Sequence, residues 1–276
     1  MSGYKLFFFP GRAKGEKCRL AFAASKIDYE DIRLAVEEWA KEKAFVLKLR
    51  IHSEYKIRLK HSAEMSGFKL FYFPSRAGGE KCRLAFAAAK IDYEDIRVPV
   101  EEWPKEKASG RPPLGQMPFI VTPEGKTLAQ SGTIMKYICK KGGLCPADSF
   151  DEATADMISD GVNDLFQPLS DIYHEKDETK KEEIKKEFYG TTLPARLEKF
   201  EALLKNRDEG KGFFLGEKLS YADITFFDFF NNFHSKGKED VPGELEKFPL
   251  LVEHYKRVLN VPEINEWVKK RPVSEF

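Results

Sequence analysis

An α/β unit of order β-α-β-β-β-α followed by an all-helical region is the fold class this sequence predicts, and three observations carry it. Short aromatic or alternating runs flank a run of strong helix formers between residues 65 and 143, and a further helical pattern closes that segment. From Asp151 onward every patterned stretch has helical spacing. One of those stretches opens on Leu219-Ser-Tyr-Ala-Asp-Ile224, where Ser220 and Asp223 form a capping box and Leu219 and Ile224 a hydrophobic staple.

The first strand is expected over Phe68–Phe73, aromatic and apolar, and Pro74 ends it. After Gly78 and Gly79, Glu80–Lys90 reads as a helix, so the phenol of Tyr72 lies at a strand end facing a helix N-terminus, a junction that suits an anion. Tyr93–Val98 alternates as a second strand, and a strand, crossover helix and strand of this size form a right-handed parallel unit. Glu101–Lys107 is polar around one large aromatic, Trp103. Leu114–Thr122 is a loop leading into a third strand, with Pro118 placed where a cis peptide to Met117 is suited. Pro123-Glu-Gly125 is a turn, and Lys126–Ala129 returns as an antiparallel partner. Ser131, after Gln130, is expected to cap a helix that ends in a basic turn at Lys141 before Gly142 and Gly143. Gly142–Phe150 reads as an inter-domain connection, which divides this part of the chain into 65–143 and an all-helical 144–276. Within the latter, helices are expected over Asp151–Tyr173, Glu178–Asn206, Ser220–His234, Phe248–Asn260 and Pro262–Lys270.

Residues Met1–Lys43 recur almost unchanged as Met65–Lys107. The first copy, 1–43, is thus a partial duplicate of the β-α-β segment, and 44–64 reads as a basic linker with some strand character. Both copies open on Met-Ser-Gly, as two alternative chain starts joined in tandem would, whether by exon duplication or in gene assembly. Among the differences, Phe8 against Tyr72 matters most, because a function that needs a hydroxyl there belongs to the second copy alone.

Acidic and basic residues nearly balance at a net charge of +1, which argues against a nucleic-acid or anionic-membrane partner. No apolar run is long enough to span a bilayer and no signal-peptide pattern opens the chain, so a cytoplasmic location is expected. Cys18, Cys82, Cys139 and Cys145 form neither a Cys-x-x-Cys nor a Cys/His cluster at metal spacing, so reduced structural thiols and no metal are expected.

Tyr72-Phe73, Arg76 with Glu80, Trp103 with Lys107, Gln116-Met117-Pro118, Gln130-Ser131 and the capped start at Ser220–Asp223 occur in this order. As a set they resemble the cytosolic glutathione transferases, most closely their sigma class, over Met65–Phe276; the first copy resembles only the opening third of that family's thioredoxin-like domain. The resemblance implies a thioredoxin-like domain followed by an all-helical one, acting as a homodimer on glutathione, the co-substrate, and on small hydrophobic electrophiles. Tyr72 is then the catalytic residue that stabilises the thiolate. The γ-glutamyl carboxylate falls to Gln130 and Ser131, the cysteinyl backbone to Gln116, Met117 and Pro118, and the glycyl end to Trp103 and Lys107. The segment Asp156–Asp164 resembles the sigma-class stretch that reaches across the dimer, with Asp164 at the position that touches glutathione in the neighbouring subunit. Phe73, Phe166 and Phe276 are the candidates for the electrophile site.

The sequence also departs from the family. Ala77 stands where Gly is common, and Gly78 where many members have Arg, which removes one contact to glutathione. Asn163 replaces an acid of the prostaglandin D synthase branch, and Asp171 stands where that branch has Trp. A prostaglandin isomerase of the sigma type and a non-catalytic hydrophobic-ligand-binding protein of the same fold are the alternatives within the family. A thiol-disulfide oxidoreductase is opposed by the lack of a Cys-x-x-Cys at the strand-helix junction.

Overall fold

The computed structural model describes residues 67–235 and 239–274, together with the backbone of two earlier strands. By its contacts the chain divides into two units, 1–63 and 64–276. In the first unit β1 (Tyr4–Phe8) pairs in parallel with β2 (Tyr29–Arg33), Tyr4 opposite Tyr29. The linker 44–64, the side chain of Phe8 and Phe276 lie outside the described residues.

In the second unit β3 (Phe68–Tyr72) and β4 (Tyr93–Arg97) repeat that parallel pairing in the same register, Phe68 opposite Tyr93. Between them runs α1 (Ala77–Ala89), one turn longer at its start than the sequence pattern indicated. A 3₁₀ turn, Val100–Glu102, precedes the short α2 (Trp103–Ala108), which forms from the polar segment around Trp103. Pro104 occupies its first turn, where no intrahelical N–H is needed. Strands β5 (Phe119–Val121) and β6 (Thr127–Ala129) complete a sheet of order β4-β3-β5-β6, with β5 antiparallel to both its neighbours. Helix α3 (Ser131–Lys141) packs beside α1.

The helical region comprises α4 (Ser149–Asn163), α5 (Phe166–His174), α6 (Glu178–Glu187), α7 (Leu193–Asn206), α8 (Tyr221–Phe233), α9 (Pro249–Leu259) and α10 (Pro262–Lys270). Where the spacing predicted one helix over Asp151–Tyr173 there are two, because the ring of Pro168 excludes the Asp164 carbonyl and ends the ladder. Glu178–Asn206 is continuous, as expected, but widens into a π turn at Phe188–Thr192. Pro194 has no N–H for the carbonyl of Gly190, and the local shift to longer hydrogen bonds accommodates it. Among the described residues no helix is long and apolar enough to cross a membrane.

Side chains on β3 alternate. Phe68 and Leu70 enter the larger core with α1, while Phe71 stacks on Phe119 at 4.5 Å on the other face. Helix α1 is buried nearly all round, between the sheet, α3, α8 and α10, and it carries Glu80, Lys81 and Arg83 into that interior. Glu80 accepts from Arg271 Nη1 at 2.7 Å and Trp267 Nε1 at 2.9 Å, tying the α/β part to the C-terminal segment. Helix α8 is the core of the helical region. Its capping box is formed as the sequence indicated, with Ser220 N donating to Asp223 Oδ2 at 2.8 Å.

Candidate functional site

Tyr72 is the last residue of β3, and its strand ends against the first turn of α1. The hydroxyl accepts a hydrogen bond from Gly78 N at 3.0 Å. Two glycines permit this approach. A Cβ on Gly79 would come within 2.4 Å of Tyr72 Cδ1, and one on Gly78 within 3.2 Å of the hydroxyl oxygen. Replacing Gly79 by Ala therefore forces the ring off the helix, with an expected cost of about 1–3 kcal/mol in stability and a shifted Tyr72 fluorescence environment. Thermal unfolding and activity measured on the same variant test it; an unchanged midpoint would show that the ring has room to move.

Burial pushes the Tyr72 phenol above its ordinary value, partly offset by the Gly78 N–H and the nearby Arg83 guanidinium. It is therefore neutral through the physiological range. Because the one hydrogen bond it makes among the described residues is accepted, its proton is left to donate. The oxygen sits where the free N–H groups of α1 favour negative charge, so an anion placed there gains both from the hydroxyl and from the helix end. Arg83 fixes the intervening loop, donating to Phe73 O at 3.2 Å and Ser75 O at 2.9 Å, with its charge met by Asp95.

Phe73 lies edge-on to Tyr72, 5.5 Å between ring centres, and edge-on to Trp103 at 6.3 Å. These aromatics thus form one cluster. Lys107, one turn on from Trp103 in α2, passes Gly115, where an added Cβ would meet Lys107 Cε at 3.4 Å. That brings it to the loop of Gln116, Met117 and Pro118, in which the Met117-Pro118 peptide is cis.

At α3 the expectation needs correcting. Ser131 is the first helical residue and not the cap; Gln130 holds the cap position at φ +73°, without a side-chain cap bond. A non-glycine residue in that region carries strain. Gln130 and Ser131 line a cleft of about 480 Å³ together with Lys136, Asp156, Asp160 and Asn163. Tyr72 does not line this cleft. The two regions meet through α1: Cys82 Sγ donates to Ser131 O at 3.6 Å, and Lys81 Nζ donates to Asn163 Oδ1 at 2.9 Å.

Asp164 follows α4, is exposed, and pairs with Arg196 at 3.2 Å. Phe166 stands apart from the Tyr72 cluster in its ring contacts, edge-on to Phe229 at 5.1 Å and Phe233 at 5.3 Å. Lys81, which donates to Asn163, and Asp228 are buried charged groups that the motifs did not single out. Their signal in the sequence is a second cation, beside Arg83, in a largely apolar helix and a lone acid inside the run Phe226-Phe-Asp-Phe-Phe230.

Comparison with known proteins fits this geometry. Residues 66–140 match the model for the glutathione S-transferase N-terminal domain, and 163–271 that for the C-terminal domain. The chain is 32% identical over 217 residues to probable glutathione S-transferase 5 of Caenorhabditis elegans, covering 77% of this chain and 100% of that one. The chain belongs to the glutathione S-transferase family. Within that family it is also similar to S-crystallin SL11 of Nototodarus sloanii, 28% identical over 77% of this chain and 100% of the relative. Among solved structures, prostaglandin synthase D of Nilaparvata lugens superposes with a TM-score of 0.66 at 29% identity, over 75% of this chain and 99% of that chain. The thioredoxin-like domain and the helical domain expected of a glutathione S-transferase are both present.

Proposed function

We propose that this glutathione S-transferase conjugates the thiolate of reduced glutathione to small hydrophobic electrophiles, with Tyr72 donating its hydroxyl proton to the sulfur. The observation that carries the reading is the buried, neutral Tyr72 hydroxyl, held by Gly78 N with its proton uncommitted. A thiol of pKa about 8.5 needs roughly 2.7 kcal/mol in favour of its thiolate to fall by about 2 units. A hydrogen bond to the charged sulfur supplies about 1.5–3 kcal/mol and the helix end about 0.3–1, which is sufficient. Attack of the thiolate then forms the carbon–sulfur bond, and for an aryl halide the halide leaves with the bonding pair.

In this reading Gln130 and Ser131 take the γ-glutamyl carboxylate at the N-terminus of α3, and the Met117 backbone pairs with the cysteinyl residue. Trp103 and Lys107 take the glycyl end, with Gln116 and Pro118 shaping the loop between. Asp164 reaches glutathione of the neighbouring subunit in a sigma-type homodimer, and Phe73, beside Tyr72, is the apolar wall for the electrophile. The location is cytoplasmic. The first copy, which has Phe8 in place of the hydroxyl, contributes no thiolate stabilisation of its own.

A thiol-disulfide role is opposed by the thiols themselves, since burial pushes Cys82 up to about 12 and raises Cys139 as well. Likeness to a prostaglandin synthase gives the isomerase reading some weight. Asp171, held by Gln167 Nε2 at 2.7 Å on an exposed face, offers no aromatic surface to such a substrate. The remaining alternative is a non-catalytic protein of the same fold that binds hydrophobic ligands.

Conjugation of glutathione to chlorodinitrobenzene separates these readings. The intact chain and a chain starting at Met65 are both expected to turn over, at similar rates per site. Glutathione binding by calorimetry without turnover in either would favour the binding role.

A further inference from the structure

The peptide group between Ala77 and Gly78 is held from both sides. Its N–H, on Gly78, donates to the Tyr72 hydroxyl at 3.0 Å. Its carbonyl, on Ala77, accepts from Asn232 Nδ2 at 2.9 Å. Asn232 lies in the last turn of α8, only 3% exposed and 155 residues along the chain from Ala77. One peptide group thus links the helical region to the phenol at the end of β3. The next two amides of α1 are engaged elsewhere, Gly79 N and Glu80 N both donating to Arg76 O at 3.0 Å. Of these three amides, that of Gly78 is the one aimed at Tyr72.

The local chain does not favour this orientation. Ala77 has φ +26°, a left-handed value at which a residue with a Cβ carries strain. A contact from elsewhere must hold the peptide there, and from the helical region it is Asn232 that touches it. Arg76, one residue earlier, reaches the same helix through Nη1 to Asn231 O at 3.4 Å, a longer contact that does not involve the peptide. The Asn232 amide also has a cost, because Oδ1 is buried and meets no donor among the described residues. A leucine of nearly the same shape would avoid that cost, so what the amide contributes is its Nδ2 bond. A donor on the carbonyl strengthens the bond made by the N–H of the same peptide, since hydrogen bonds in a chain polarise one another. The phenol that accepts this bond then offers its own proton more strongly.

We propose that Asn232 is a positioning residue of the transferase reaction: by holding the Ala77–Gly78 peptide with its N–H on the Tyr72 oxygen, it keeps the phenol aimed and strengthens its proton as a donor to the glutathione sulfur. The inference rests on the reading of Tyr72 given above. Asn232 acts through the peptide and Tyr72, not on the sulfur itself. The thiolate state therefore depends on the contact between α8 and α1. The charged groups that act on Tyr72, Arg83 and Asp228, and the buried thiol of Cys82 remain in every variant below.

The test is the ultraviolet absorbance of bound glutathione thiolate against pH, with the pH profile of kcat/KM for chlorodinitrobenzene, on the intact chain. Asn232→Leu is expected to raise the apparent thiol pKa by about half a unit. Conjugation below that pKa falls about threefold and recovers at high pH. Adding Ala77→Gly to Asn232→Leu is expected to return most of the shift, because glycine keeps a positive φ without help. Adding Asn232→Leu to Tyr72→Phe is expected to leave the thiol pKa where Tyr72→Phe alone sets it, since both changes act through one hydroxyl. If Asn232→Leu does not fold by circular dichroism, Asn232→Ala takes its place. A thiol pKa that Asn232→Leu does not move, that Ala77→Gly does not bring back, or that shifts as far in the Tyr72→Phe background overturns the proposal and leaves the transferase reading intact. A thiol that titrates alike in the unmodified protein and in Tyr72→Phe overturns the reading of Tyr72, and this inference with it.

Discussion

Replacing Tyr72 by Phe lowers kcat/KM for glutathione conjugation by about 10- to 100-fold, while the fold survives. The size follows from the hydrogen bond removed: about 1.5–3 kcal/mol to a charged sulfur, converted at roughly 1.4 kcal/mol per tenfold. The helix end and the positioning of glutathione remain, so activity drops without vanishing. Packing should hold, because the ring stays and only the acceptor of Gly78 N–H is lost, a cost of about 1 kcal/mol. The first copy already carries this substitution, Phe8, within an otherwise near-identical stretch. Steady-state kinetics with chlorodinitrobenzene and a thermal melt check both halves. Equal activity in the two proteins would move the thiolate donor elsewhere.

The largest effect on stability is expected at Asp223, far from the chemistry. Its carboxylate is fully buried and accepts from Ser220 N at 2.8 Å, Ser220 Oγ at 2.6 Å and Phe214 N at 2.8 Å, with His254 Nε2 at 2.8 Å beside it. Asp223→Ala strands these groups in the interior, uncaps α8 and leaves a small void. Each stranded buried group costs about 1–3 kcal/mol and the cap about 1, without strict additivity, so a loss of about 3–5 kcal/mol is expected. Because α8 is the core of the helical region, the loss should show as a lower midpoint of cooperative unfolding, with the denaturant slope unchanged. A shift under about 1 kcal/mol would mean that water replaces the carboxylate.

The sequence was most informative where local chemistry decides structure. Pro74 after an aromatic strand, Pro118 before β5 and the Ser220–Asp223 box each placed an element boundary that the structure keeps. It was least informative where a residue's effect is felt four positions away. Pro168 and Pro194 sit inside runs of good helical spacing, yet one splits a helix and the other widens it. Ser131 has the chemistry of a cap, but Gln130 takes the cap position at a positive φ, which no local pattern records. In the site, Tyr72 was legible because a hydroxyl facing two glycines at a helix start is a local arrangement. Asn232 was not, since its amide is meaningful only once α8 lies against α1 and brings together residues far apart in the chain.

The central claim is that the Tyr72 hydroxyl holds the sulfur of glutathione as a thiolate, and a titration of bound glutathione reads that state directly. Followed by thiolate absorbance, the unmodified protein should hold the thiol about 2 units below its free value, and Tyr72→Phe should return most of that shift. A bound thiol that titrates at the same pH in both proteins would contradict the account.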